Sequence, residues 1–288
     1  MIIIIGLIIV FGAVIGGFVM EGGNVLLLMQ IAEFVIIGGA ALGSLIVMSP
    51  KKVLIDITKG ILKALKGAPY GKREYEELLK ALYELFLLGR RNGMIALEEH
   101  VMNPKTSSIF TKYPTFLKNE HAIEFLCNGL RPIIDGKIKP DQLKLLMETE
   151  LESKEEEHHA PVSVLTRVAD SMPGFGIVAA VLGVVLTMGA IAGPIEEVGL
   201  KVAAALVGTF LGILLCYGLI GPLAVNMEFI GNSEIAYFRC IAAAVVGFAS
   251  GMAPIMAVEV GRRGLTSDVK PTADELEAML KSLNVQTK

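Results

Sequence analysis

The chain has 288 residues, a net charge of −3, 53% hydrophobic residues and a mean hydropathy of +0.62. That hydropathy is too high for an ordinary water-soluble domain, and the near-neutral charge excludes the basic surface that a nucleic-acid partner requires. The three cysteines, Cys127, Cys216 and Cys240, are odd in number and far apart, which excludes a disulfide framework and a zinc site. No tryptophan is present, so Tyr217 and Phe210 are the weak substitutes for an interfacial aromatic belt.

The hydropathy comes from a few long apolar blocks, and a spanning helix needs about 20 such residues. Residues 1–20 carry no charge and lack the basic start and cleavage site of a signal peptide, so they read as a first span. Residues 34–50 form the second, with Glu33 at its start and Lys51 and Lys52 at its end. Residues 173–192 form the third and residues 202–225 the fourth.

Lysines 51, 52, 59, 63 and 66 follow the second span, and Arg262 and Arg263 lie beyond the fourth. The two other connections hold Glu21, Glu33, Glu196 and Glu197 and no basic residue. The positive-inside rule therefore places residues 51–170 and both termini in the cytoplasm. Residues 241–257 are apolar for 17 positions and compete as a fifth span. They are short, contain Gly251 and Pro254, and crossing would carry Arg262 and Arg263 outside, so a buried helix is expected instead. The fold class is all-α: a polytopic membrane protein with four transmembrane helices and a helical cytoplasmic domain. Its expected divisions are 1–50, 51–170, 171–227 and 228–288.

Within the insert, Leu78, Leu79, Leu82, Leu85, Phe86 and Leu88 recur at three- and four-residue steps, predicting a helix over 74–97. A second helix is expected over 121–134, ending near Pro132, and Pro140 opens a third that runs into the acidic stretch 148–157. No glycine-rich phosphate loop follows a strand, so no enzymatic nucleotide chemistry and no cofactor are expected. His158 and His159 beside Glu155 to Glu157 do not make a metal site, because adjacent helical residues point about 100° apart.

A machine that moves ions through a bilayer keeps an ionisable side chain inside it. The third span has no charge between Asp170 and Glu196, and the fourth has none between Lys201 and Glu228. The cores of the first two are read as equally empty, so an ion carrier must come from another chain. Small residues recur instead: Ala204, Gly208 and Gly212 on the fourth span, and Gly176, Ala180 and Gly183 on the third. Such rows let helices approach closely, either within one subunit or against a partner helix. Thr209 adds a hydroxyl beside the row, although a membrane threonine commonly bonds its own i−4 carbonyl. Pro173 and Pro222 fall at the cytoplasmic ends of their spans and read as two kinks at one level, as hinges or static bends.

The segment Asp170-Ser171-Met172-Pro173-Gly174-Phe175-Gly176 resembles the third-span signature of the MotA family, the flagellar stator A subunits. Val207-Gly208-Thr209-Phe210-Leu211-Gly212, with Tyr217-Gly218 and Pro222-Leu223-Ala224, is similar to the family's fourth span. Ala32-Glu33, Arg90 with Gly93-Met94 and Leu97-Glu98, and Ala253-Pro254 with Gly261-Arg262 extend the resemblance over the whole chain. The resemblance implies a homopentamer around two MotB-type subunits, whose membrane aspartate carries the ion and whose outer domain grips peptidoglycan. It implies that Arg90 and Glu98, and more weakly Glu150, face FliG on the rotor. Pro173, Pro222 and Asp170 would be conformational residues, and Thr209, Ala180 and Tyr217 would line the ion pathway. Sodium-type relatives carry threonine at the position of Ala180; alanine removes that oxygen, so the expected ion is H+. Gly174 departs from the more usual alanine, and Arg91 and Glu99 add charges beside the rotor pair.

Three rivals accompany this expectation, one of them a self-contained channel or transporter, which the uncharged spans disfavour. An ExbB/TolQ-type energiser of outer-membrane transport has three spans and lacks the rotor pair. A static membrane scaffold would use Thr209 for packing alone.

Overall fold

The computed structural model describes residues 2–67 and 70–285. Met1 and residues 286–288, which the sequence assigns to the first span and the tail, lie outside the described residues. Every regular element among the described residues is helical: α1 Ile2–Met20, α2 Ile31–Met48, α3 Lys51–Lys66, α4 Lys72–Asn92, α5 Glu98–Met102, α6 Pro114–Leu117, α7 Glu120–Ile134, α8 Pro140–Gly189, α9 Ile195–Leu215, α10 Gly221–Ala249, α11 Pro254–Arg263 and α12 Ala273–Val285. A π turn, Cys216–Ile220, joins α9 to α10. Four segments are long and apolar enough to cross a membrane: Ile2–Met20, Val25–Met48, Pro140–Gly189 and Ile195–Ala249. The chain forms two compact units, residues 1–67 with 157–230, and residues 68–156 with 231–288. α3 and the 157–170 part of α8 belong to the unit of the apolar helices.

In that first unit α3 is amphipathic. Its Ile57 and Ala64 are buried with Val162, Leu165, Ala224, Met227 and Ile230, while its lysines are exposed. Lys52 forms an ion pair with Glu157. Ala41, Val168, Ala169, Met172 and Cys216 make a second cluster, and Ile37, Ala179, Val207 and Leu211 a third.

Two expectations are corrected here. The second span does not start after Glu33. Asn24 caps a 3-10 turn, Val25–Leu28, and α2 begins at Ile31, which puts Glu33 in its first turn and buries it to 5% exposure. The first two spans are therefore not free of charge-bearing groups. The prolines also lie at different levels. Met172, next to Pro173, has its carbonyl against Gly212, whereas Pro222 precedes Ala224, which packs with Val162 and Leu165. Pro222 lies ten residues beyond Gly212, an offset of about 15 Å at helical rise. Both prolines are accommodated inside regular helix. Pro173 lies within α8, and the π turn ahead of Pro222 lets the Gly221 N–H bond the Cys216 carbonyl, widening the helix where the proline ring would crowd the preceding turn.

The second unit has the larger apolar core, built from α4 (Leu78, Leu82, Phe86), α7 (Phe125, Leu126, Leu130), α10 (Tyr237, Ile241, Val245, Phe248) and α11 (Ala257, Val258). Phe86 and Phe248 stack with centroids 4.4 Å apart, and Tyr70 and Tyr237 at 4.2 Å. Residues 241–257 are thus core and turn in this unit: α10 stops at Ala249, Gly251 takes φ 84°, and Pro254 opens α11. α4 stops earlier than expected, at Asn92, because Gly93 adopts φ 88° and ψ 165°, a region essentially confined to glycine. α7 passes through Pro132 and ends at Ile134.

Candidate functional site

The third and fourth spans meet through residues that have no side chain to separate them. A Cβ built on Gly176 would lie 2.8 Å from the Gly208 carbonyl oxygen, one on Gly212 would lie 2.6 Å from the Met172 carbonyl oxygen, and one on Gly183 would lie 2.6 Å from the Ala205 Cβ. The glycine rows are therefore engaged within one subunit, where close approach replaces the hydrophobic drive that lipid does not supply. Ala180 and Thr209 stand beside this seam and are half-buried. Thr187, which sequence reasoning passed over, is the threonine that bonds its own turn, with its hydroxyl 2.8 Å from the Gly183 carbonyl. Among the described residues the Thr209 hydroxyl makes no hydrogen bond, so it is available to a water, an ion or a partner group.

Away from the seam α8 exposes Ile177, Val178, Val181, Leu182, Val184 and Val185. A continuous apolar face of that kind suits lipid or another membrane helix. Tyr217 is 72% exposed at the π turn. Pro222 and Asp170 are exposed and Pro173 is half-buried.

Sequence reasoning missed Glu33 as a buried group. Its Oε2 has no hydrogen-bond partner among the described residues, and a Cβ built on Gly208 would lie 2.5 Å from it. A carboxylate in the first turn of an apolar helix was the available signal.

The other candidates lie in the second unit. A Cβ on Gly89 would come 2.9 Å from Leu97 Cδ1 and 3.0 Å from Phe248 Cζ, so the end of α4 and the turn Met94–Leu97 are locked together on the core. Arg90 and Glu98 flank this contact, both exposed and without an ion-pair partner among the described residues. Arg91 and Glu99 are exposed beside them. Glu150 is different. It is half-buried, burial pushes its carboxyl above the usual range against the pull of Lys154 at 3.8 Å, and that ammonium lies 4.9 Å over the Phe238 ring. Its side chain is 42% exposed and ion-paired rather than free. No group of three or more His, Cys, Asp or Glu side chains converges as a metal site among the described residues.

Residues 4–93 match the family model "Motility protein A N-terminal", and residues 118–226 match the "MotA/TolQ/ExbB proton channel family". The chain is 40% identical over 283 residues to motility protein A of Salmonella typhimurium, an alignment covering 98% of this chain and 96% of the relative. The chain belongs to the motility protein A family. It is a flagellar stator subunit of the kind that couples ion flow to torque. Chemotaxis protein LafT of Vibrio parahaemolyticus is 37% identical over 96% of this chain and 97% of its own length. The fold is similar to that in the flagellar MotAB stator complex from Bacillus subtilis, with TM-score 0.74 and 25% identity over 96% of this chain and 98% of that one. It is also similar to the fold in C. jejuni MotAB, with TM-score 0.78 and 22% identity over 94% and 98%. These matches run from end to end through both units. The match of residues 4–93 to a model described for motility protein A alone favours the stator over an energiser of the ExbB/TolQ type.

Proposed function

We propose that this chain is the A subunit of a proton-driven stator in the bacterial inner membrane, with both termini cytoplasmic. Five copies surround two MotB-type subunits, ion pathway residues Thr209, Ala180 and Tyr217 face the partner's membrane aspartate, and Arg90 and Glu98 engage FliG of the rotor. The observation that carries the reading is the end-to-end identity to motility protein A; the MotAB complexes of similar fold supply the partner. The free Thr209 hydroxyl and the exposed, unpaired Arg90 and Glu98 agree with it. The family model is a proton channel, and Ala180 offers no oxygen to a sodium ion. The basic residues gathered after α2 and in α11 support the orientation.

Each ion crossing supplies about 2.3 kcal/mol per elementary charge per 100 mV, several RT, which is enough to bias one discrete step of rotation. The rotor contact has to transmit that step and then release. Contacts between exposed charges, worth about 0–1 kcal/mol each, make and break readily. Pro173 and Pro222, lying at two levels, offer two separate places at which the helices flex, with Asp170 next to the first.

The test is to delete the chain from a motile cell and restore it, then to purify it with its companion. Loss and recovery of swimming, and co-purification with a one-span protein bearing a membrane aspartate, are expected. Swimming that is indifferent to the deletion overturns the assignment.

A further inference from the structure

Glu33 lies three residues after the N-cap position Gln30, where a glutamate commonly folds back on the first turn of its own helix. It does not do so here. Its carboxyl reaches across to α9 and rests on the backbone at Gly208, with the Ala179 methyl against the same point. Glu33 is 5% exposed and its Oε2 has no partner among the described residues. An ionised carboxylate cannot be left unpaired in such a wall at reasonable cost, and an ionisable group inside a membrane helix marks a functional site by default. The position is informative. Gly208 and Ala179 lie within one helical turn of Thr209 and Ala180, the two residues proposed for the ion pathway. Glycine at 208 is what admits the carboxyl, because any side chain there would collide with it.

We infer that Glu33 is a proton-holding group of this chain on the ion route. It takes a proton onto Oε2 from the outer side and releases that same proton towards the Thr209 face of α9 and the partner's aspartate. One O–H bond forms and one breaks at each hand-over, no electrons move, and one proton is transferred per cycle. The inference rests on the stator reading above and adds an acid supplied by this chain to the one supplied by its partner.

Swimming speed across external pH, in cells whose own copy is replaced by E33Q or E33D, tests it, with co-purification of the partner reporting assembly. Glutamine keeps the volume and one carbonyl oxygen but cannot exchange a proton. E33Q is expected to assemble and to reduce speed at least tenfold at every pH. E33D is expected to retain part of the speed with a displaced pH profile. An assembled E33Q with wild-type speed and pH profile overturns the inference and leaves the stator reading intact. If E33Q fails to assemble, E33D decides: a wild-type profile makes Glu33 a packing group and overturns the inference, and a displaced one upholds it. If cells lacking the chain swim normally, the stator reading and this inference fall together.

Discussion

The Gly208 carbonyl oxygen occupies the space that a side chain on Gly176 would need, 2.8 Å from the Cβ position, so α8 and α9 touch backbone to backbone at that level. On the next turn the roles reverse, with Gly212 against the Met172 carbonyl. The two spans therefore form one packed pair, and neither can admit even a methyl group without separating.

Gly176→Ala should accordingly lower the thermal stability of the detergent-purified protein and abolish swimming. Gly174→Ala, two residues away, places its methyl in open space and should leave both nearly unchanged. Overpacking of this kind typically costs about 1–3 kcal/mol. Equal behaviour of the two variants in a melting measurement would show that the seam does not hold the pair.

The rotor-facing assignment predicts a dissociation between folding and motility. Arg90 and Glu98 are exposed and unpaired among the described residues, so reversing both charges, Arg90→Glu with Glu98→Lys, should leave membrane insertion and melting temperature almost unaltered. Swimming should fall strongly. Full-speed swimming of the double variant would remove these two side chains from the rotor contact.

Gly93 sets the direction in which the chain leaves α4 between those two charges. At φ 88° and ψ 165°, any L side chain is strained by about 1–3 kcal/mol. Gly93→Ala should therefore destabilise the second unit by that amount although its methyl meets no atom within 4 Å. A melting temperature equal to wild type would mean that this turn relaxes freely.

A pH effect follows from α11. The Arg262 guanidinium donates to both oxygens of Glu259, at 2.7 and 2.8 Å, and to the Pro271 carbonyl at 2.7 Å; Arg263 adds a bond of 2.9 Å. Arg262 above all, with Arg263, holds the Glu259 carboxyl down at about 2, against burial that works the other way. A carboxyl depressed on folding contributes stability that is complete above its ordinary value of 4.5 and is lost as pH falls towards 2. Melting temperature should drop across that interval. Glu259→Gln should remove this contribution to the drop and cost about 3–5 kcal/mol at neutral pH, because it strands a largely buried guanidinium. An unchanged acid profile in the variant would assign the acid sensitivity to other carboxylates.

Much of this architecture is legible along the chain. Uncharged blocks of spanning length announce four membrane helices, and the periodicity of Leu78, Leu82 and Phe86 predicts α4. The short length and flanking arginines of residues 241–257 assign them to a core rather than to a fifth span, and Ile241, Val245 and Phe248 are buried there. Helix ends were less legible, because the stop of α4 depends on a backbone conformation at Gly93 that composition alone does not impose. The seam between the third and fourth spans was foreseen as a row of small residues, but which surface the row meets depends on a neighbouring helix.

The sequence by itself determined the class, the spans and the positions of the charges, since hydropathy and helical period are local properties that need no partner. Only the tertiary structure decided that the glycines at 176, 208 and 212 face one another, that Glu150 is ion-paired while Arg90 and Glu98 have no such partner among the described residues, and that Glu33 lies inside the helix group. Those outcomes depend on which side chains meet across elements far apart in the chain, and an isolated helix carries no record of what will be packed against it.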